Sequence, residues 1–186
     1  MKRSTLIIGA GAAAIMVVSG VILALMGRIP WCAGGFGLWT TDIASPCTSQ
    51  LLADPYTFSH LLHGFLFFAL LWLLLRRLPV RQRLLIALVL EAGWEILENT
   101  PFVIDRYRTQ TAALGYEGDS ILNSTGDMLA AAFGYYLAWK LPRWVSVLLV
   151  IAVELLMLWF FRDNLTLNIL MLLYPLTAVK EWQLRG

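Results

Sequence analysis

Apolar residues in this chain come in long runs broken by short polar stretches, and the lengths of the runs predict six helices. The runs cover about residues 6–26, 56–75, 84–104, 120–139, 144–161 and 165–179. The first five fall within the roughly 17–25 residues that an α-helix uses to cross a bilayer. The sixth is shorter and contains Pro175, so it is either a kinked sixth span or an interfacial helix, with a slight preference for the span. Residues 27–55 and 105–118 are the long connections. The pattern predicts an all-α fold, a polytopic membrane helix bundle of five to six transmembrane helices forming a single integral membrane domain.

The third run, Leu84 to Ile104, departs from the others because it carries Glu91, Glu95 and Glu98. At i, i+4 and i+7 these form one acidic stripe on a helix, with Leu and Ile on the remaining faces. On an insertion scale each central carboxylate costs roughly 3 kcal/mol, and the roughly eleven Leu, Ile, Val and Phe return only about 0.5 each. Such a helix does not insert stably alone, so other parts of the chain must receive the stripe.

Composition agrees with a membrane protein and excludes an ordinary soluble domain: of 186 residues 59% are hydrophobic and 14% charged, with a mean hydropathy of +0.72. A net charge of +2 is too small to point to nucleic acid. Membrane lipids are the expected partners, and a homo-oligomer stays open. The placement of the basic residues is more informative. Lys2 and Arg3 precede the first run, Arg76, Arg77, Arg81 and Arg83 join the second to the third, and Lys140 and Arg143 join the fourth to the fifth. Together these place the N-terminus and both connections on the cytoplasmic side of the membrane. The first run, with Gly9, Gly11, Gly20 and several alanines, reads as a retained helix able to pack closely rather than as a signal peptide. Residues 27–55 and 105–118 then face outward. Cys32 and Cys47, the only cysteines, lie where a disulfide can persist, though two unpaired thiols are an equal alternative.

Depth brings the polar groups together. With about 1.5 Å of rise per residue, His60 and His63 lie roughly 6–10 Å below the outer boundary, Glu95 and Glu98 roughly 10–15 Å, and Asp127 roughly 9 Å. Glu91 and Glu154 fall nearer the midplane. Ionisable groups at such depth are costly and mark a site by default. His60, His63, Glu98 and Asp127 are the candidate ligands of a divalent metal, Zn, Mn or Fe, a donor set that suits sites built within helix bundles. Glu95, Glu98, Asp127 and Asn123 are the candidate catalytic residues, with a metal-free acid–base pair as the alternative use of the same groups. Arg106, Arg108, Asn99 and Arg162 are candidate substrate contacts, Arg106 and Arg108 through lipid phosphate. A plain internal network that fixes helix register is the competing structural explanation.

Three segments also carry a resemblance. Asp54 to Gly64 (DPYTFSHLLHG), Glu91 to Arg108 (EAGWEILENTPFVIDRYR) and Gly118 to Asp127 (GDSILNSTGD) together resemble the bacterial membrane family known as domain of unknown function 2585, over about Trp31 to Asn168. The resemblance implies a multi-pass inner-membrane protein of Gram-negative bacteria and implies no activity. Two function classes follow from the residues themselves. One is a metal-assisted hydrolase or transferase acting at the outer leaflet on a lipid or lipid-linked substrate. The other is a small transporter or proton- or cation-conducting protein in which Glu91, Glu95 and Glu154 continue a polar path inward.

Overall fold

The computed structural model describes residues 2–185, with side chains from Thr5 onward, so the side chains of Lys2 and Arg3 lie outside the described ones. The described chain is helical, with eight helices: α1 (Lys2–Leu25), α2 (Thr57–Leu74), α3 (Val80–Glu98), α4 (Pro101–Gln110), α5 (Ile121–Lys140), α6 (Arg143–Phe161), α7 (Leu165–Leu173) and α8 (Thr177–Leu184). Among the described residues no strand forms beyond an isolated bridge between Trp39 and Ala53. Three helices are long and apolar enough to cross a membrane: Thr5–Leu25, Thr57–Leu74 and Arg143–Phe161. Their outward faces are apolar, as at Val147, Leu148, Ile151, Leu155 and Trp159. Helices α3 and α5 have comparable lengths but carry buried charges within them.

Two expected runs are broken. The run over 84–104 ends as a helix at Glu98, because Thr100 accepts a hydrogen bond from the Val103 amide as N-cap and Pro101 starts a new helix at its first position. Much of the expected outer loop 105–118 is therefore helical. The last run, 165–179, divides into α7 and α8 around Tyr174–Leu176, where Pro175 cannot continue the hydrogen-bond ladder.

The centre of the fold is the crossing of α2 and α5. A Cβ added at Gly64 would sit 2.2 Å from the Ala131 carbonyl oxygen, and one at Gly134 would sit 2.0 Å from that of Leu61. The two backbones thus meet directly, as helices do in lipid where only small residues permit close packing. Below this crossing Leu71, Ala87 and Tyr135 form a buried core with Phe67, Phe68 and Leu84 against it.

The connection between α1 and α2 folds over the N-terminal end of α5. Cys32 and Cys47 are joined as a disulfide, which decides the alternative left open by their positions. Ser120 donates its amide to the Ser49 carbonyl and its hydroxyl to that of Gln50, and Asn123 donates to Leu51. Gly126 lets the Leu52 carbonyl rest on α5, since any Cβ there would lie 1.7 Å from that oxygen.

Candidate functional site

Helices α2, α3 and α5 each bring polar side chains to one place. On α2, His60 and His63 are one turn apart and face α3. His60 Nδ1 lies 2.7 Å from Glu91 Oε1 and 3.2 Å from Glu95 Oε1, and His63 Nδ1 lies 3.0 Å from Glu91 Oε2. The other face of the His60 ring turns to α5, with Nε2 3.8 Å from Asp127 Oδ2. Glu91 and Glu95 are fully buried, and His60, Glu98 and Asp127 nearly so.

The cluster is unevenly satisfied. Glu91 accepts from both imidazoles, whereas Glu95 has only the 3.2 Å approach of His60 Nδ1 to one oxygen, and its Oε2 and Oδ1 of Asp127 are buried without a hydrogen-bond partner. Oxygens removed from water and left unpaired are costly, and they are where a cation or a proton would gain most. Two sets of donor atoms lie within 4.8 Å of one another, His60 with His63 and Glu91, and His60 with Glu95 and Glu98. Both contain imidazole and carboxylate, a donor mixture suited to Zn, Mn or Fe.

Above the cluster is a cavity of about 460 Å³. His60, His63, Glu98, Asn123 and Asp127 line its polar floor, and Leu66, Phe67, Trp94 and Leu97 line an apolar wall. Helix α4 with its C-cap, and α7, add Tyr107, Thr111, Asn168 and Ile169 to the lining. They are clasped to each other: Tyr107 donates to Asn168 Oδ1 at 2.9 Å, and Arg106 donates from Nε to the Leu172 carbonyl at 2.5 Å. Glu154 holds the other end of α7 by accepting from the amides of Leu165 and Thr166 at 3.0 and 3.2 Å, the usual stabilisation of a helix N-terminus by a carboxylate.

Outside the spans the acids of the rim are shifted upward. Burial raises the Asp119 carboxyl against the hydrogen bonds it accepts from Tyr116 and Asn99. Burial likewise pushes Asp163, at the α6–α7 turn and on the cavity lining, up to about 7. Burial and then the neighbouring Glu98 push the Tyr107 hydroxyl up, so it serves as a donor across the neutral range.

Of the residues singled out from sequence, His60, His63, Glu95, Glu98 and Asp127 meet in the cluster. Asn123 lines the cavity while its amide donates to the Leu51 carbonyl. Asn99 bridges the Glu95 carbonyl and Asp119. The three arginines do not line the cavity. Arg106 caps the end of α7, Arg108 donates to the Tyr116 carbonyl, and Arg162 donates to the Trp182 carbonyl and sits over that indole ring. No lysine or arginine lines the cavity among the described residues.

Glu91 is the residue that depth reasoning set too far from the imidazoles. Measured from Glu98, where α3 in fact ends, Glu95 and Glu91 lie about 4.5 and 10.5 Å down the helix, and measured from Thr57, His60 and His63 lie about 4.5 and 9 Å down theirs. Glu91 therefore reaches both imidazoles and Glu95 reaches His60. The Asn99-Thr100-Pro101 capping signal, had it been used to end the helix, would have made this pairing visible. Asp119 shares an i, i+4, i+8 polar spacing with Asn123 and Asp127, whereas Tyr107 and Asp163 carried no comparable signal, since their roles depend on α4 and α7 folding back over the cavity.

The family described as "Protein of unknown function (DUF2585)" matches residues 23–185. A UPF0314 protein of Agrobacterium fabrum is 50% identical over 173 residues, covering 92% of this chain and 87% of the relative. Another, from Paracoccus denitrificans, is 48% identical over 170 residues, covering 91% and 88%. A third, from Sphingopyxis alaskensis, is 46% identical over 176 residues, covering 94% of each. No solved structure matches the chain.

Proposed function

This chain belongs to DUF2585, the family that also holds the UPF0314 proteins, and we propose that it is a multi-pass inner-membrane enzyme of metal-assisted hydrolysis or group transfer. Its substrate is a lipid or lipid-linked molecule reached from the outer leaflet. Helices α1, α2, α3, α5 and α6 are the spans in this reading, with α4 and α7 lying over the outer mouth. The orientation follows from the basic residues between α2 and α3 and between α5 and α6.

The observation that supports the reading is the shortage of hydrogen bonds at Glu95 and Asp127, which share the one His60 ring at 3.2 and 3.8 Å, inside a cavity that has one polar and one apolar wall. A network meant only to fix helix register has no reason to crowd two further buried carboxylates around an imidazole whose proton Glu91 already accepts. A divalent ion held by His60, Glu95 and Glu98 would offset that charge and lower the pKa of a water, which, once its proton has passed to a neighbouring carboxylate, could attack an ester or phosphoester as hydroxide. The chain's own residues supply the remainder. Asp127 lies beside His60 Nε2 to accept a proton, and the apolar wall orients an acyl chain and excludes water.

Conduction is less well supported. Its inward path needs Glu154, and that carboxylate is occupied in capping α7 on the outer side.

The test is elemental analysis of the full-length protein purified in mild detergent after growth with Zn, Mn and Fe. The wild type should retain close to one equivalent of a divalent metal per chain, with His60→Ala and Glu95→Gln losing most of it and Arg108→Gln keeping it. Metal-free wild-type protein, or undiminished metal in His60→Ala, would overturn the reading.

A further inference from the structure

At the end of the bundle opposite the cavity lies a buried charge with no partner. Arg83, in the first turns of α3, is only 7% exposed, and its Nε and Nη1 are buried without a hydrogen-bond acceptor. Its guanidinium sits 5.9 Å above the Phe68 ring. One turn further along α2, Trp72 is flanked by Arg76 at 5.7 Å and Arg143 at 5.1 Å. Lys140 lies 4.0 Å from the Trp139 ring, beside a small cavity lined by Val80, Arg81, Leu84 and Tyr135.

No acid answers this charge. The sequence has no Asp or Glu from Arg76 to Leu90, nor from Met128 to Val153. The helix ends there are bare as well. Helices α3 and α6 both start after a proline N-cap, Pro79 and Pro142, without a side-chain cap and without an acid in the first turn. At the other end Thr100, Ser120 and Asn164 cap α4, α5 and α7, and only α2, after Tyr56, starts there without a side-chain cap. Uncapped amides and a helix N-terminus attract an anion, and a guanidinium fork matches phosphate oxygens. A preference for positive charge on the cytoplasmic side accounts for exposed arginines at this boundary, but not for one sunk into the protein with two nitrogens unpaired.

We propose that this end of the α2–α3–α5 bundle binds the phosphate of an anionic phospholipid, held by Arg83 and the uncapped start of α3 with Arg76, Arg143 and Lys140 around it. The proposal rests on these helices spanning the membrane and is independent of the metal reading. Basic pockets between helices on the cytoplasmic side suit such head groups, and the rings of Phe68 and Trp72 hold the guanidiniums at the interface where that phosphate lies.

The full-length protein in neutral detergent is titrated with phosphatidylglycerol, phosphatidylcholine or inorganic phosphate, with bound lipid counted by native mass spectrometry and thermal stability followed in parallel. Phosphatidylglycerol should bind at least tenfold more tightly than phosphatidylcholine and raise the melting temperature, while phosphate at equal concentration does neither. Arg83→Gln should abolish the preference, and Arg83→Lys, which keeps charge without the fork, should restore part of it. Should Arg83→Gln fail to fold, Arg143→Gln, exposed at the helix start, should weaken the preference severalfold. Equal binding of the two lipids by the wild type, an equal effect of free phosphate, or full preference in both Arg83→Gln and Arg143→Gln would overturn the proposal.

Discussion

Asp163 shows how a single side chain couples the cavity to pH. Its carboxyl accepts from the Asn164 amide and from Gln183, yet burial dominates and lifts it from 3.8 to about 7. A group whose folded value is raised binds its proton more tightly in the native state. Its contribution to stability is therefore complete below about pH 4 and is lost as pH rises through 7. We expect the wild type to melt at a lower temperature at pH 8 than at pH 5 by more than Asp163→Asn does, because the amide keeps the neutral form at every pH. Parallel pH profiles for the two proteins would show that the group is not perturbed. Nothing in the Arg162-Asp163-Asn164 stretch announced this, since it reads as a turn, and the burial comes from α7 and α8 folding against it. The imidazoles and Glu95 were legible for the opposite reason: an ionisable group inside an apolar run is an anomaly on the sequence itself.

Among the elements, the α2–α5 crossing has the least tolerance. Gly64 and Gly134 bring backbone to backbone, and the crossing sets where His60 and His63 stand relative to Asp127. Gly134→Val would force a Cβ to within 2.0 Å of the Leu61 carbonyl oxygen, so the helices must part. We expect a loss of about 3 kcal/mol or more, read as a lower midpoint in denaturant titration of the detergent-solubilised protein. Gly9→Ala, whose Cβ meets nothing within 4 Å, should be neutral or slightly stabilising, since alanine is the better helix former. Similar midpoints for the two variants would mean that the crossing is not tight. Helices α1, α2, α5 and α6 could be read from run length and period within a few residues. The ends of α3 and α7 could not, because Phe102, Val103 and Ile104 continue the apolar run of α3 past its capping signal, and apolar residues extend past α7 on both sides of Pro175.

Across the whole molecule, the buried acids gather at the cavity end while the opposite end carries bases without an acid, and the cavity end is completed by something other than its nearest helix. The cavity end depends on residues 27–55, which reach α5 through Ser49, Gln50, Leu51 and Leu52 and are tied by the Cys32–Cys47 disulfide. Asp54 tightens the same loop by accepting from the amides of Ser49 and Tyr56 at 2.6 and 2.8 Å. A bridge across a sequence separation of 15 removes about 3 kcal/mol of freedom from the unfolded chain, and its loss should fall on the loop and the top of α5 rather than on the α2–α5 crossing. The Cys32→Ser/Cys47→Ser double variant should therefore keep its helical circular dichroism while amides of residues 47–53 and 120–127 exchange at least tenfold faster with deuterium. Exchange unchanged in both segments would mean that the hydrogen bonds to Ser120 and Asn123 hold the loop without the bridge. Faster exchange spread equally over α2 and α5 would instead make the disulfide a determinant of the entire bundle, and the outer cap could no longer be treated as a separate, weaker unit.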